Sequence, residues 1–170
     1  MKPPPDASNP IAPASPRVSR RGGVLAAAIP AALLLFGRRA RADPTDLEDS
    51  KPFAEHRLAL QVSDDDPAKH HLAINVANNM LKAYTPDLIA IEVVAFGPGI
   101  GLLTADSPDR EAVDSLVAQG VRFDVCMNTV HTAERKSGQK LALNPNARPV
   151  PAGAAQLLAL TERKYTLLRP

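Results

Sequence analysis

Residues 88–96 read LIAIEVVAF, an almost unbroken apolar run that ends at Gly97-Pro98-Gly99. Continuous hydrophobicity, as opposed to strict alternation, is typical of a parallel strand whose two faces are both covered. The run is also rich in Ile and Val, whose branched side chains favour strands. It therefore predicts an α/β fold with a mainly parallel sheet between layers of helices.

Shorter runs of the same kind extend this pattern along the chain. Apolar stretches bounded by turn residues predict further strands, and segments with helical spacing of apolar residues predict helices between them. Asp66 and Ser107 are the expected N-caps of the first two helices, each followed by Pro. The alternation of strands and helices implies right-handed crossovers. The predicted strands are 56–62, 88–96, 121–126, a short one at 150 and 165–168, and the predicted helices are 67–84, 107–119, 128–136 and 152–164.

The first 42 residues have the order of a signal peptide. Residues 1–18 are rich in Pro, Ala and Ser, which predicts a disordered region. They are followed by Ser19-Arg20-Arg21, an apolar run at 24–36 and Ala40-Arg41-Ala42. The paired arginines are similar to a twin-arginine export signal. The alternative is a membrane anchor that is never cleaved, but the apolar run is well short of the roughly 20 residues that a spanning helix needs. We therefore expect a periplasmic protein without a membrane segment after cleavage, with a linker at 43–54 and a domain at 55–170.

Removal of the signal peptide would reverse the net charge. The chain has 20 Lys and Arg against 18 Asp and Glu, and residues 1–42 contain 7 of the basic and 1 of the acidic residues. The remaining 13 basic and 17 acidic residues give a net charge of −4. Without a basic surplus, a nucleic-acid partner is not expected.

Cys126 is the only cysteine and closes the strand predicted at 121–126. A thiol at the start of a helix lies beside free N–H groups and the positive end of the helix dipole, which lower its pKa and make it reactive. The alternative is a structural role, because free cysteine is among the most frequently buried residues. A single cysteine forms no internal disulfide, so the sequence leaves both roles open.

Other polar residues are expected near Cys126 at the carboxyl edge of the sheet, where open α/β sheets bind their ligands. Asn128 and Thr129 follow the thiol directly, and His131 either pairs with the thiolate or is exposed. Ser63 follows the strand predicted at 56–62, and Gly97 and Gly99 follow the strand predicted at 88–96. These three residues complete the candidate binding residues.

Several familiar motifs are missing. The segment 97–101, GPGIG, lacks the spacing of a phosphate loop and predicts a structural turn, so no cofactor is expected. The sequence contains no CxxC or HxxxH spacing, so no metal site is predicted. Neither a serine nucleophile elbow nor paired catalytic carboxylates are found. Asp64-Asp65-Asp66 fits helix capping better than metal binding. His71, Asn75, Asn78 and Asn79 form one helix face, which either lies in an interface or pocket or is exposed.

Five blocks of sequence occur in an order that resembles the DsrE/DsrF-like, or YchN-like, family. They are LQVSD at 60–64, NVANN at 75–79, VVAFGPG at 93–99, GVRF with CMNT at 120–129, and VPAG at 150–153. The resemblance covers nearly all of the chain after the signal peptide.

The resemblance to the DsrE/DsrF-like family implies a three-layer α/β/α sandwich around a five-stranded sheet, assembled into homotrimers or hexamers. It also implies that Cys126 is a sulfur carrier that accepts a persulfide from one thiol partner and passes it to another. The alternative is a non-enzymatic oligomeric module that binds small molecules or proteins, in which Cys126 is structural.

Overall fold

A five-stranded sheet organises residues 51–170, the part of the chain that the computed structural model describes. The strand order is β4-β3-β2-β1-β5, and every neighbouring pair is parallel. The predicted fold class is therefore confirmed. The predicted signal peptide at 1–42 and residues 43–50 of the predicted linker lie outside the described residues.

Strands and helices alternate along the chain as expected. The strands are β1 (His56–Val62), β2 (Ile89–Ala95), β3 (Arg122–Cys126), β4 (Arg148–Val150) and β5 (Thr166–Leu168). The α-helices are α1 (Pro67–Tyr84), α2 (Arg110–Ala118), α3 (Met127–Ser137) and α4 (Gly153–Glu162), and a 3-10 helix at Gly97–Leu103 follows β2. Among residues 51–170, none of these helices has both the length and the apolar character required to cross a bilayer.

The two faces of the sheet are covered unequally. Helices α1, α2 and α3 pack on one face, where alternate strand residues such as Leu60, Val93 and Phe123 form the larger core. On the other face, α4 packs through Leu157 and Leu160 against small strand residues. These layers make the three-layer sandwich, with α4 as the helix that covers the second face.

The two predicted helix caps have different outcomes. The prediction for α1 is confirmed, because the Asp66 carboxylate accepts a hydrogen bond of 2.9 Å from the Ala68 N–H. The prediction that Ser107 caps α2 is wrong. The Ser107 hydroxyl instead accepts from the Asp109 N–H at 3.3 Å, in a turn that delays the helix to Arg110.

The glycine-rich segment after β2 is the predicted turn, extended into the 3-10 helix at Gly97–Leu103. A side chain at position 99 would place its Cβ 2.5 Å from the Val62 carbonyl oxygen, so this close approach to the end of β1 requires Gly99. At the end of α1, Tyr84 is exposed and its ring centroid lies 4.1 Å from that of His56.

The unequal layers generate a stability prediction for α4. Leu160 lies on the buried side of α4 and is fully buried, whereas Leu158 on the same helix is 60% exposed. We expect Leu160→Ala to lower the free energy of unfolding by about 3 kcal/mol, because it removes buried methyl groups and leaves a cavity. Leu158→Ala, the matched control, should change it by less than about 0.5 kcal/mol. Urea unfolding measures both, and equal losses would contradict this assignment of the core.

Candidate functional site

Cys126 lies at the junction of β3 and α3. It is the last residue of the strand and also the N-cap of the helix, with an extended backbone at φ −72° and ψ 109°. Because Phe123 and Val125 face the larger core, the alternation of the strand turns Asp124 and Cys126 toward the α4 face. The Cys126 side chain is nearly buried there, with 5% of its surface exposed.

Four hydrogen-bond donors favour the thiolate form of Cys126. Burial by itself would raise the pKa of the thiol, but hydrogen bonds favour the thiolate and lower the pKa below its ordinary value. The donors are the Thr129 hydroxyl and the backbone N–H groups of Gly153, Thr129 and Asn128. Two of these N–H groups belong to the first turn of α3, and the third belongs to Gly153, the first residue of α4. N–H groups at the N-termini of two helices from opposite layers therefore both favour the thiolate of Cys126.

The Thr129 hydroxyl is oriented by a hydrogen bond from Gly97. Its oxygen accepts a hydrogen bond of 3.1 Å from the Gly97 N–H, at the start of the 3-10 helix. With this lone pair occupied, the hydroxyl hydrogen is available for the Cys126 sulfur. Gly97 thus supports the thiol indirectly, through Thr129.

The start of α4 is fixed against the ends of two strands. The Asn128 N–H also donates to the Pro151 carbonyl at 3.2 Å, which joins the first turn of α3 to the segment before α4. A Cβ at Gly153 would lie 2.8 Å from the Cβ of Phe96, directly after β2. Glycine at this position therefore allows the first turn of α4 to pack closely against Phe96.

A cavity of about 550 Å³ lies between the 3-10 helix and α3. Cys126 is not part of its wall, but two residues whose N–H groups donate to the sulfur, Asn128 and Thr129, are. Lys136 supplies the one charged side chain of the wall, which is made of Gly97, Pro98, Ile100, Asn128, Thr129, Thr132, Ala133 and Lys136.

The structure brings together some of the predicted site residues and separates others. Gly97 joins Asn128 and Thr129 around the cavity and the thiol. Ser63 instead hydrogen-bonds with its sequence neighbours, at 3.4 Å from both Gln61 and Asp64. Gly99 is buried against β1.

His131 is exposed on α3. Within residues 51–170, no hydrogen bond or ion pair joins it to Cys126.

A buried polar cluster beside the thiol was missed by the sequence reasoning. Glu92 and Asp124 point to the α4 face, and 1% and 0% of their surfaces are exposed. The Gln156 side-chain amide donates to both, at 3.3 Å to Glu92 and 2.9 Å to Asp124. A signal was present, since each carboxylate interrupts an apolar strand.

Two arginines neutralise this carboxylate pair. Arg148 binds Asp124 through two hydrogen bonds, of 2.7 and 3.0 Å, and also reaches Glu92 at 3.1 Å. Arg122 forms a further ion pair with Glu92. The carboxylates are buried and paired, and Gln156 joins them to α4. The cluster is thus suited to holding the helix on the sheet, and it leaves the thiol as the candidate reactive group.

No three His, Cys, Asp or Glu side chains within residues 51–170 are grouped as metal ligands. His70 forms a hydrogen bond of 2.8 Å between Nε2 and the Asp64 carbonyl oxygen, and His71 Nε2 lies 3.0 Å from the Asp109 carboxylate.

The fold and the site define an α/β sandwich with a thiol at the carboxyl edge of a parallel sheet. No protein-family model and no curated protein sequence matches the chain significantly. Among solved structures, the chain is similar to MTH1491 from Methanobacterium thermoautotrophicum, described as a protein of unknown function. The two share 28% sequence identity and a TM-score of 0.61, over 68% of this chain and 100% of that chain. The ychN protein from E. coli aligns over 68% of this chain and 99% of its own, with 14% identity and a TM-score of 0.49.

The hydroxyl bond to sulfur generates a prediction for Thr129. Thr129→Val keeps the shape of the side chain and removes the donor, so the thiolate fraction near neutral pH should fall about tenfold. Thr129→Ser, the matched control, should retain most of it. The ultraviolet absorbance of the thiolate, titrated against pH with a Cys126→Ser blank, measures this fraction. Identical titrations for Val and Ser would contradict the role of the hydroxyl.

The lowered pKa of Cys126 also predicts how stability depends on pH. Between the folded and the ordinary thiol pKa, the unfolded chain holds a proton that the folded chain has released. The free energy of unfolding of the wild type, relative to Cys126→Ser, should therefore rise with pH through this window and level off above the ordinary value. Urea unfolding at a series of pH values tests this. A falling difference would mean that burial dominates the pKa.

Proposed function

We propose that the chain is a DsrE/DsrF-like protein that carries sulfane sulfur on Cys126. The observation that carries the proposal is the environment of the thiol, in which two helix N-termini and the Thr129 hydroxyl favour the thiolate. The five ordered sequence blocks and the five-stranded sandwich support the same assignment. A thiolate is the nucleophilic form of cysteine, so the site suits attack on sulfur.

The proposed step is a thiol exchange that balances without any external oxidant. The Cys126 thiolate attacks the outer sulfur of a persulfide donor, R–S–SH, and a new S–S bond forms as the S–S bond of the donor breaks. The donor leaves as the thiolate R–S⁻ with the electron pair of the broken bond, and Cys126 becomes a persulfide. Attack by an acceptor thiol on the outer sulfur of this persulfide returns Cys126 to the thiolate.

The same donors that favour the thiolate favour the persulfide anion. The N–H groups of Asn128, Thr129 and Gly153 favour negative charge on the Cys126 sulfur, and the outer sulfur of a Cys126 persulfide is bonded directly to that atom. Because only 5% of Cys126 is exposed, we propose small donors such as inorganic polysulfide. The adjoining cavity, with Lys136 in its wall, offers an anionic donor a binding place near the thiol.

Mass spectrometry of the intact protein tests the proposal. After exposure to polysulfide and removal of the excess, the wild type should gain the mass of one sulfur atom per chain. The gain should be reversed by a small nucleophile that removes sulfane sulfur, such as cyanide, which leaves as thiocyanate, or the dithiol dithiothreitol. Cys126→Ser, which keeps the size of the side chain, should gain nothing.

Equal labelling of the wild type and the serine variant would contradict the proposal. An unlabelled wild type would do so as well, and would favour the alternative of an oligomeric binding module in which Cys126 is a buried structural residue.

A further inference from the structure

Gln156 connects the buried polar cluster to the helix that reaches the thiol. It lies three residues after Gly153, so about one helical turn separates the amide side chain from the N–H group that donates to Cys126. Both acceptors of the Gln156 amide are carboxylate oxygens, so its NH₂ group faces the cluster. Of the α4 side chains, all of which are described, Gln156 alone hydrogen-bonds to a strand.

Apart from the contacts at its first residues, the remaining contacts of α4 with the sheet are apolar and do not fix its position along the helix axis. Leu157 and Leu160 pack against small residues, Ala59, Ala90 and Val94. Apolar contact of this kind is non-directional and tolerates a shift of the helix. Two hydrogen bonds from one amide to two carboxylates, by contrast, hold only over a narrow range of positions.

We infer that Gln156 is a positioning residue, whose bonds to Glu92 and Asp124 hold α4 where the Gly153 N–H meets the Cys126 sulfur. The inference takes its functional meaning from the proposed sulfur transfer, although its measurement does not depend on any transfer. Glu92 and Asp124 belong to different strands, so the amide fixes the helix relative to both β2 and β3.

Removal of the Gln156 amide leaves each carboxylate with its guanidinium partner. Asp124 keeps both bonds from Arg148, and Glu92 keeps Arg148 and Arg122. No buried charge is left without a counter-charge, which is the situation that destabilises proteins most. Gln156→Met, which retains the length and bulk of the side chain, is therefore expected to fold.

The test is a titration of the Cys126 thiolate in the full chain, by ultraviolet absorbance with Cys126→Ser as the blank. In Gln156→Met, the midpoint should move to higher pH, and the thiolate fraction below the midpoint should fall about fivefold, the worth of one helix N-terminus. The rate of alkylation by iodoacetamide at high pH should not fall, since the thiol is no more buried than before. Leu158→Ala, on the exposed side of α4, should titrate as the wild type does.

A folded Gln156→Met protein with an unchanged midpoint would overturn the inference. Gln156→Asn, which keeps the amide but shortens its reach, provides a second variant should the methionine protein not fold, and it should shift the midpoint in the same direction. Hydrogen exchange of the Gly153 amide should also be faster in either variant, and an unchanged rate would likewise overturn the positioning role.

Failure of this inference and failure of the proposed function are distinguishable. A wild type that takes up no sulfur while Gln156→Met shifts the thiolate midpoint would remove the sulfur carrier and keep the positioning role. A wild type that takes up sulfur while the variant keeps the wild-type midpoint would do the reverse.

Discussion

The α4 layer depends on two carboxylates buried under one helix. Glu92 and Asp124 are almost completely removed from water, and burial raises the pKa of Asp124 even against the opposing effect of Arg148. Isolated charges in such a place would be very unfavourable, so the arginines must be in position for this face to close. The cluster therefore gives the second face a specific arrangement, which the small apolar residues around it do not provide.

This arrangement meets the rest of the molecule at Cys126. In a parallel sheet, every helix begins at the carboxyl edge, so the first turns of helices from both layers can come close together. Here α3 begins without any intervening residue after β3, and α4 begins after two residues, Pro151 and Ala152. The short connections and the glycine at 153 bring N–H groups from both layers to the sulfur. The thiol is thus stabilised as an anion by the architecture as much as by its immediate neighbours.

The sequence predicts those parts of this structure that depend on local pattern. The unbroken run at 88–96 indicates a parallel strand, and the position of Cys126 at a helix start is visible in one segment. The contact between Cys126 and Gly153 is not visible in the sequence, because it requires β4 to pair with β3 so that Val150 lies beside Cys126. The carboxylate pair likewise depends on the register of β2 with β3. The prediction that Ser107 caps α2 failed for a local reason, because a turn at Ser107 competes with the start of the helix.

The position of β1 in the sheet has a consequence for the order in which the protein is built. One neighbour, β2, is the next strand of the chain, but the other, β5, consists of residues 166–168. During synthesis, β1 can pair with β2 early, whereas its pairing with β5 must wait until residues 166–168 have been made. Until then it presents an unpaired, largely apolar edge, which is the kind of surface that pairs with other chains. A three-residue strand therefore ends the period in which the nascent protein is most exposed to aggregation.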